Sequence, residues 1–256
     1  MNGPTIPLTP LQQSLARMVL FRADKGALHL PTLKELAKRY GVSQAAIREA
    51  LVPVHMHGLV ELRAGKSPWL PPLVMRRGIE TIGLELEVAR TRRERRQPLR
   101  SWLDMEHELI VESFRRCAAY GSYEMREDAA RAVDQVVSAA FSDAPVEALA
   151  LYRWRAIKAA VAGAQCEALR LLSLTLGRSA ERILPYISVA IHPEELAEEM
   201  IEVQDLLRRR QHDDLASFLA HHSQRLHAEV LDIASPTRTG SQRRRVHLFV
   251  PLRRVG

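Results

Sequence analysis

Gln44, Ala45, Ala46 and Arg48 are the residues of this chain whose types and spacing suit a definite chemistry, the reading of base-pair edges. A glutamine can lie bidentate along adenine, an arginine along guanine, and an alanine methyl can meet the C5-methyl of thymine. All four follow Ser43, a residue type that caps a helix by accepting a backbone N–H. They therefore fall at the start of a helix and point outward. Other chemistry is poorly supplied. Cys117 and Cys166 stand alone, without metal-ligand spacing, and read as reduced, buried thiols. His212, His221, His222 and His227 do not fall one helical turn apart and read as surface or core histidines. No nucleophile–base pattern, phosphate-binding loop or metal triad is present, so an enzyme is not expected.

The elements that position the outward residues are equally local. Leu33, Leu36, Ala37 and Tyr40 recur at helical spacing and give one apolar face. Thr32 caps this helix and Glu35 completes a capping box. Gly41 ends it, because glycine takes positive φ at little cost. Beyond Ser43, residues Ile47, Ala50, Leu51 and Val54 form the apolar face of a second helix. Two short helices joined by a tight turn make a helix-turn-helix, whose second helix enters the DNA major groove. Pro53 interrupts that second helix, removing the amide bond to Glu49 and clashing with its carbonyl. Either the helix kinks after two turns, or it ends near Val52 and restarts. The base-reading turn precedes Pro53 in both cases. An earlier helix over 11–21 sets Leu11, Leu15, Met18 and Val19 against the pair, and His29-Leu30-Pro31 is extended. Residues 59–70 read as a two-stranded wing: Leu59 to Leu62, a turn at Ala64-Gly65, then Ser67 to Leu70.

The run L-P-T-x-K-E-L-A-x-x-Y-G-V-S-x-x-x-I-R-E-A-L from Leu30 to Leu51, then H-G-L-V-E-L-R-x-G-K from His57 to Lys66, resembles the winged helix of the GntR family of bacterial repressors. The resemblance covers about residues 11–70 and its spacing is unbroken. It implies DNA binding through Thr32, Lys34, Ser43, Gln44, Ala45, Ala46, Arg48, Arg63, Gly65 and Lys66. Arg48 and Lys34 are expected on phosphate or guanine, and Lys66, at the wing tip, in the minor groove. An ion pair of Arg48 with Glu49 or Glu35 is the alternative. Family members often carry arginine where Gln44 stands, and hydroxyl or proline residues near Ala45 and Ala46. An operator unlike the family's usual one is therefore expected.

Charge divides the 256 residues along the same line. Of the net +7, residues 1–78 hold 11 Lys and Arg against 4 Asp and Glu; residues 79–234 hold 20 against 26; residues 235–256 hold 6 against none. A basic head on an acidic body suits a DNA-binding module joined to a sensing or dimerising one. From Ile79 to Ile233 the pattern is almost continuously helical, with helices expected at 79–96, 99–119, 123–141, 145–162, 165–184, 193–211 and 213–233. The fold class is therefore mainly α. A winged helix-turn-helix with a small β wing spans 1–72, and a linker spans 73–78. An all-α bundle of about six or seven helices spans 79–234, and a basic tail spans 235–256. The tail reads as solvated, with an extra phosphate contact or a strand added to a partner chain as the sharper alternative. The charge run Arg90 to Arg96 reads as a solvated face, or as lining DNA or a neighbouring subunit's acidic residues. Nothing resembles a signal peptide, and no apolar run reaches the roughly 18 residues of a spanning helix. A cytoplasmic protein with no membrane partner is expected.

The helical half looks like the FCD domain, which follows the winged helix in the FadR subfamily of GntR regulators. The landmarks are Leu99-Arg100 with Leu103-Asp104, Trp154-Arg155 before Ala162-Gly163, and a last helix carrying His221-His222. Many FCD domains hold a divalent metal through an aspartate and a histidine one turn apart and two later histidines. Here those positions fall on Leu151 and Arg155 and on Met200 or Glu202, leaving only His222 or His221. A pocket with no metal and no cofactor is expected. The FadR-like branch lacks those ligands too and binds long-chain acyl-CoA, which makes a fatty acyl thioester, or another amphipathic or carboxylate metabolite, a candidate effector. Ala220 to Arg225 does not reproduce that branch's stretch. Arg100, Tyr152, Arg155, Arg178 and His222 are the expected effector contacts, on inward-looking helix faces. The expected whole is a homodimer on double-stranded DNA, a repressor whose affinity a small molecule modulates. The alternative is a DNA-binding dimer with no small-molecule effector, controlled by abundance or a protein partner.

Overall fold

The computed structural model describes residues 8–63, 65–72 and 78–234. Residues 1–7 of the expected head, the linker residues 73–77 and the tail from residue 235 lie outside the described residues. Within them the chain is mainly helical: α1 (Pro10–Asp24), α2 (Leu33–Tyr40), α3 (Gln44–Ala50), α4 (Val52–Met56), α5 (Ile79–Val88), α6 (Arg92–Tyr120), α7 (Tyr123–Phe141), α8 (Val146–Gly163), α9 (Glu167–Ser188), α10 (Pro193–Arg208) and α11 (His212–Ala234). None of these helices is long and apolar enough to cross a membrane.

In the head, capping chemistry sets the helix starts. The Thr32 hydroxyl accepts the Glu35 N–H at 3.2 Å, and the Glu35 carboxylate accepts the Thr32 N–H at 2.8 Å. That backbone donor, first, and the Thr32 hydroxyl, second, hold the Glu35 carboxyl below its ordinary value. Gly41 ends α2 at φ 67 and ψ 29, a conformation that penalises any residue with a Cβ. The Ser43 hydroxyl accepts the Ala46 N–H at 3.1 Å. Pro53 takes the second of its two sequence outcomes. α3 stops at Ala50 and α4 restarts at Val52, which places the proline in a first turn where its missing N–H is not needed. Leu51, at φ −84 and ψ −10, stays in the right-handed region, and its carbonyl accepts the His55 N–H at 2.9 Å. The two pieces thus run on from one another.

The wing needs correction. Among the described residues there is no strand, only single antiparallel bridges from Trp69 to Glu61 and to His29. Glu61 donates to the Trp69 carbonyl at 2.7 Å and accepts its N–H at 3.0 Å, while Leu70 donates to the Leu28 carbonyl at 2.8 Å. Pro68, Pro71 and Pro72 flank this bridge and have no N–H to extend a ladder. The expected turn position Ala64 lies outside the described residues.

The bundle also breaks differently at its start. The helix expected over 79–96 ends at Val88, and the next begins at Arg92 and passes unbroken through Pro98. The Thr91 hydroxyl accepts the Glu94 N–H at 3.2 Å, and the Glu94 carboxylate accepts the Arg90 N–H at 2.8 Å, so a cap outcompetes continuation. α9 likewise runs past its expected end through Pro185. α6 forms the centre, packing on α5, α8, α9, α10 and α11. Its Trp102 ring lies 5.9 Å from that of Trp154 and donates through Nε1 to Ser179 Oγ at 3.0 Å. Gly163 lets α8 close on α6, since a Cβ there would stand 2.4 Å from Cys117 Sγ. Burial pushes the Cys117 thiol up to about 11, which leaves it unreactive.

α5 divides its residues between two hydrophobic cores. Leu84 and Val88 join the head with Leu15, Val19, Ile47 and Leu51, whereas Ile82 and Leu86 join the bundle. Glu87 accepts the Leu8 N–H at 2.7 Å and pairs with Arg182 of α9 at 2.7 Å. Arg17 donates to the Val88 carbonyl at 2.7 Å.

Candidate nucleic-acid interface and buried ionic cluster

The outward face of α3 and α4 is built by its inward one. Ile47, Ala50, Leu51 and Val54 are buried, so Gln44, Ala45, Arg48, Glu49, Val52 and Met56 are exposed and Ala46 is half-buried. Arg48 makes no ion pair with Glu49 or Glu35 among the described residues; the Glu35 carboxylate is bound to Thr32. Lys34 is exposed at the start of α2, and Lys66 is exposed beside Gly65, whose φ is 69. Thr32 and Ser43 are exposed, but their hydroxyls are engaged as caps. Arg63 pairs with Glu61 at 2.7 Å and lies 5.1 Å from the Trp69 ring centroid, so its head is held against the Trp69 bridge. The ten expected DNA residues therefore share the head's surface; among the described residues Arg48, Lys34 and Lys66 make no ion pair, and Arg63 is tethered.

The bundle interior holds a second polar assembly, and sequence reasoning missed most of it. Glu106 of α6 is completely buried. Its Oε1 accepts from Arg153 Nη1 at 2.7 Å, and its Oε2 lies 2.8 Å from His227 Nε2. Burial drives the Glu106 carboxyl upward, but the Arg153 charge and then the His227 contact overcome it and hold the group down to about 2. The His107 ring meets that of His227 edge-on at 6.3 Å, and its Nδ1 lies 2.6 Å from Ser223 Oγ. Nearby, Glu199 accepts from His222 Nδ1 at 2.7 Å and pairs with Arg225. A cavity of about 30 Å³ lies between the groups, lined by Arg153, Glu199, His222, Ser223 and apolar side chains such as Phe114 and Phe218. That is room for a water or two.

Three of the expected effector residues are misplaced. Arg100, Arg155 and Arg178 are exposed, and Tyr152 is half-buried with the Arg155 guanidinium 5.3 Å from its ring centroid. On α8 the inward pair is Arg153 and Trp154, so one further residue carries Arg155 about 100° round the helix to solvent. On α6, Leu99, Trp102, Leu103 and Glu106 face inward and turn Arg100 out; on α9, Leu176, Ser179 and Ala180 do the same to Arg178. Only His222 of the five lines the cavity. A signal for the true residues exists. Arg153 lies four residues from both Leu149 and Ile157, and Glu106 three from both Leu103 and Leu109, so each interrupts an apolar ridge.

Among the described residues no three His, Cys, Asp or Glu converge as metal ligands. The positive charge facing Glu106 is Arg153's own. Ser223 and His107 have the look of a nucleophile and base, yet the Ser223 hydroxyl donates to the Leu219 carbonyl at 2.7 Å on a buried helix face. A hydroxyl so engaged satisfies its own helix backbone.

No protein-family model matches the chain, and no curated protein matches it. Solved structures do. The Listeria monocytogenes protein Lar, described as controlling expression of the agr system and mediating virulence, is 12% identical, with a TM-score of 0.50 over 89% of this chain and 100% of that one. A GntR-family transcriptional regulator from Pseudomonas syringae pv. tomato is 15% identical over 90% of each chain, with a TM-score of 0.44. The E. coli protein McbR/YncC is 14% identical over 89% of this chain and 100% of its own, with a TM-score of 0.46. At these identities the likeness concerns the fold alone.

Proposed function

We propose that the chain is a sequence-specific DNA-binding transcription regulator, working as a homodimer, whose bundle carries a small-molecule effector. The observation that supports the first part is the exposed row Gln44, Ala45 and Arg48 on a capped helix. The row is fixed from behind by buried Ile47, Ala50 and Leu51, in a head with 11 Lys and Arg against 4 Asp and Glu. A rigid helix offering one bidentate amide, one guanidinium and one methyl meets the requirements of major-groove readout. One head makes too few base contacts for selectivity in a genome, whereas two related by a two-fold axis double the site. Operator occupancy by such a dimer acts most simply as repression.

The test is selection of bound duplexes from a randomised pool at a stated salt concentration. The expected product is an inverted repeat, with one position per half-site lost for the Gln44→Ala variant. Recovery of no preferred sequence by the wild-type chain would overturn the reading.

In the bundle, the corrected effector site is the cavity at Arg153, His222 and Ser223. Its size holds a water or two and neither an acyl chain nor a small carboxylate in this conformation, so binding of either candidate would require the cavity to open. The same small volume favours the second reading, a dimer without an effector. Thermal shift against small carboxylates and acyl-CoAs separates the two. A shift with a small acid, lost in His222→Ala, supports the effector. No shift with any compound supports its absence.

A further inference from the structure

The outward face of α3 and α4 is not uniformly polar. Taken at about 100° per residue, the buried ridge Ile47, Ala50, Leu51 and Val54 has its opposite at Ala45, Val52 and Met56. Gln44 and Arg48 lie to one side of that line and Glu49 to the other. The exposed face therefore carries two apolar side chains near its centre, Val52 at 41% exposure and Met56 at 80%, with the Glu49 carboxylate as close to that centre as Val52. Side chains of this kind at the centre of a water-facing helix are costly to leave in solvent. The Pro53 restart preserves the line, because Leu51 remains right-handed and its carbonyl still binds the His55 N–H at 2.9 Å.

Resting on the DNA-binding reading above, we propose that Val52 is a specificity-determining residue that reads a second thymine C5-methyl in each half-site. Ala45 and Val52 are seven residues apart, about 10 Å along a helix. With bases spaced about 3.4 Å along a strand, that separation corresponds to about three base steps. Met56, about 6 Å further along the axis, falls about five base steps from Ala45. The occupant is duplex DNA, because Ala45 and Val52 share the exposed face with Arg48, and the same head exposes the cations Lys34, Lys38, Arg39 and Lys66. A methyl against a methyl supplies discrimination without a hydrogen bond, and so without the desolvation that an unpaired amide would suffer at a wrong base.

The experiment uses the full-length chain and its selected operator, with thymines replaced one at a time by deoxyuridine, which removes only the C5-methyl. The expected result is loss of affinity at two positions about three steps apart in each half-site, each by about four-fold for one buried methyl. In Val52→Ser, the penalty at the distal position disappears while the proximal one remains. Ala45→Ser shows the reverse. Both substitutions are on exposed positions, and an unchanged melting temperature verifies their folding. If deoxyuridine costs nothing at any position, or if Val52→Ser retains both penalties, the proposal is wrong although the DNA-binding reading stands. If selection yields no operator, both are wrong.

Discussion

The head and the bundle carry their polar chemistry in opposite places. In the head the candidate site is a surface. Gln44, Ala45 and Arg48 are set by the Ser43 cap and by a buried ridge within a few residues of them, and their side chains are left to solvent. In the bundle the candidate site is interior. Glu106, Arg153 and His227 come from three helices, at sequence separations of 47 and 121 residues. The contrast teaches that one region of a protein can hold a site by exposing charge and another by enclosing it, and that the two respond differently to mutation. A surface group can be removed with little effect on folding, whereas removing one member of an enclosed set leaves a charge with nowhere to go.

The largest expected effect follows from that. Arg153→Met strands Glu106 and should lower stability by about 3 kcal/mol, measured by urea unfolding. Arg155→Met, two positions on and exposed, should change it by less than about 0.5 kcal/mol. Equal effects would break the comparison. The second concerns pH. Because Glu106 is held down to about 2 in the folded chain, its contribution is present above the ordinary carboxylate value. It is lost as pH falls from about 4.5 towards 2. Acid unfolding should accordingly be shallower over that window in Glu106→Gln, measured by circular dichroism. Third, Arg48→Ala should leave the melting temperature unchanged but weaken operator binding about ten-fold, in fluorescence anisotropy. Smallest, Ser43→Ala removes the α3 cap and should destabilise the head by about 1 kcal/mol, with the bundle's hydrogen-exchange protection intact.

How much was legible in the sequence follows the same division. Thr32, Glu35, Gly41 and Ser43 announce α2 and α3 because a cap is a contact over three residues, and the structure places each as expected. Pro53 was readable as an interruption, but only the Leu51 dihedrals decide between kink and restart. The wing misled, since the apolar, β-branched-containing run at 59–62 suits a strand while Pro68, Pro71 and Pro72 deny it a partner ladder. The bundle's helices were periodic enough to find, yet their rotation was not. The expectation that an arginine beside Trp154 looks inward was right in kind and two residues out in place, at Arg155 instead of Arg153. Nor does local spacing reveal that His227 and Glu106 meet, because 121 residues separate them. The break at 89–91 was missed because the Thr91 cap, T-R-R-E, lies inside a charge run read only for its charge.

The most direct measurement is hydrogen–deuterium exchange of the full chain with and without its selected duplex. The account predicts slowed exchange over residues 44–56 and around residues 63–66, with α8 and the interior of α6 unchanged. Protection confined to the bundle, or none in α3 and α4 at saturating duplex, would contradict it.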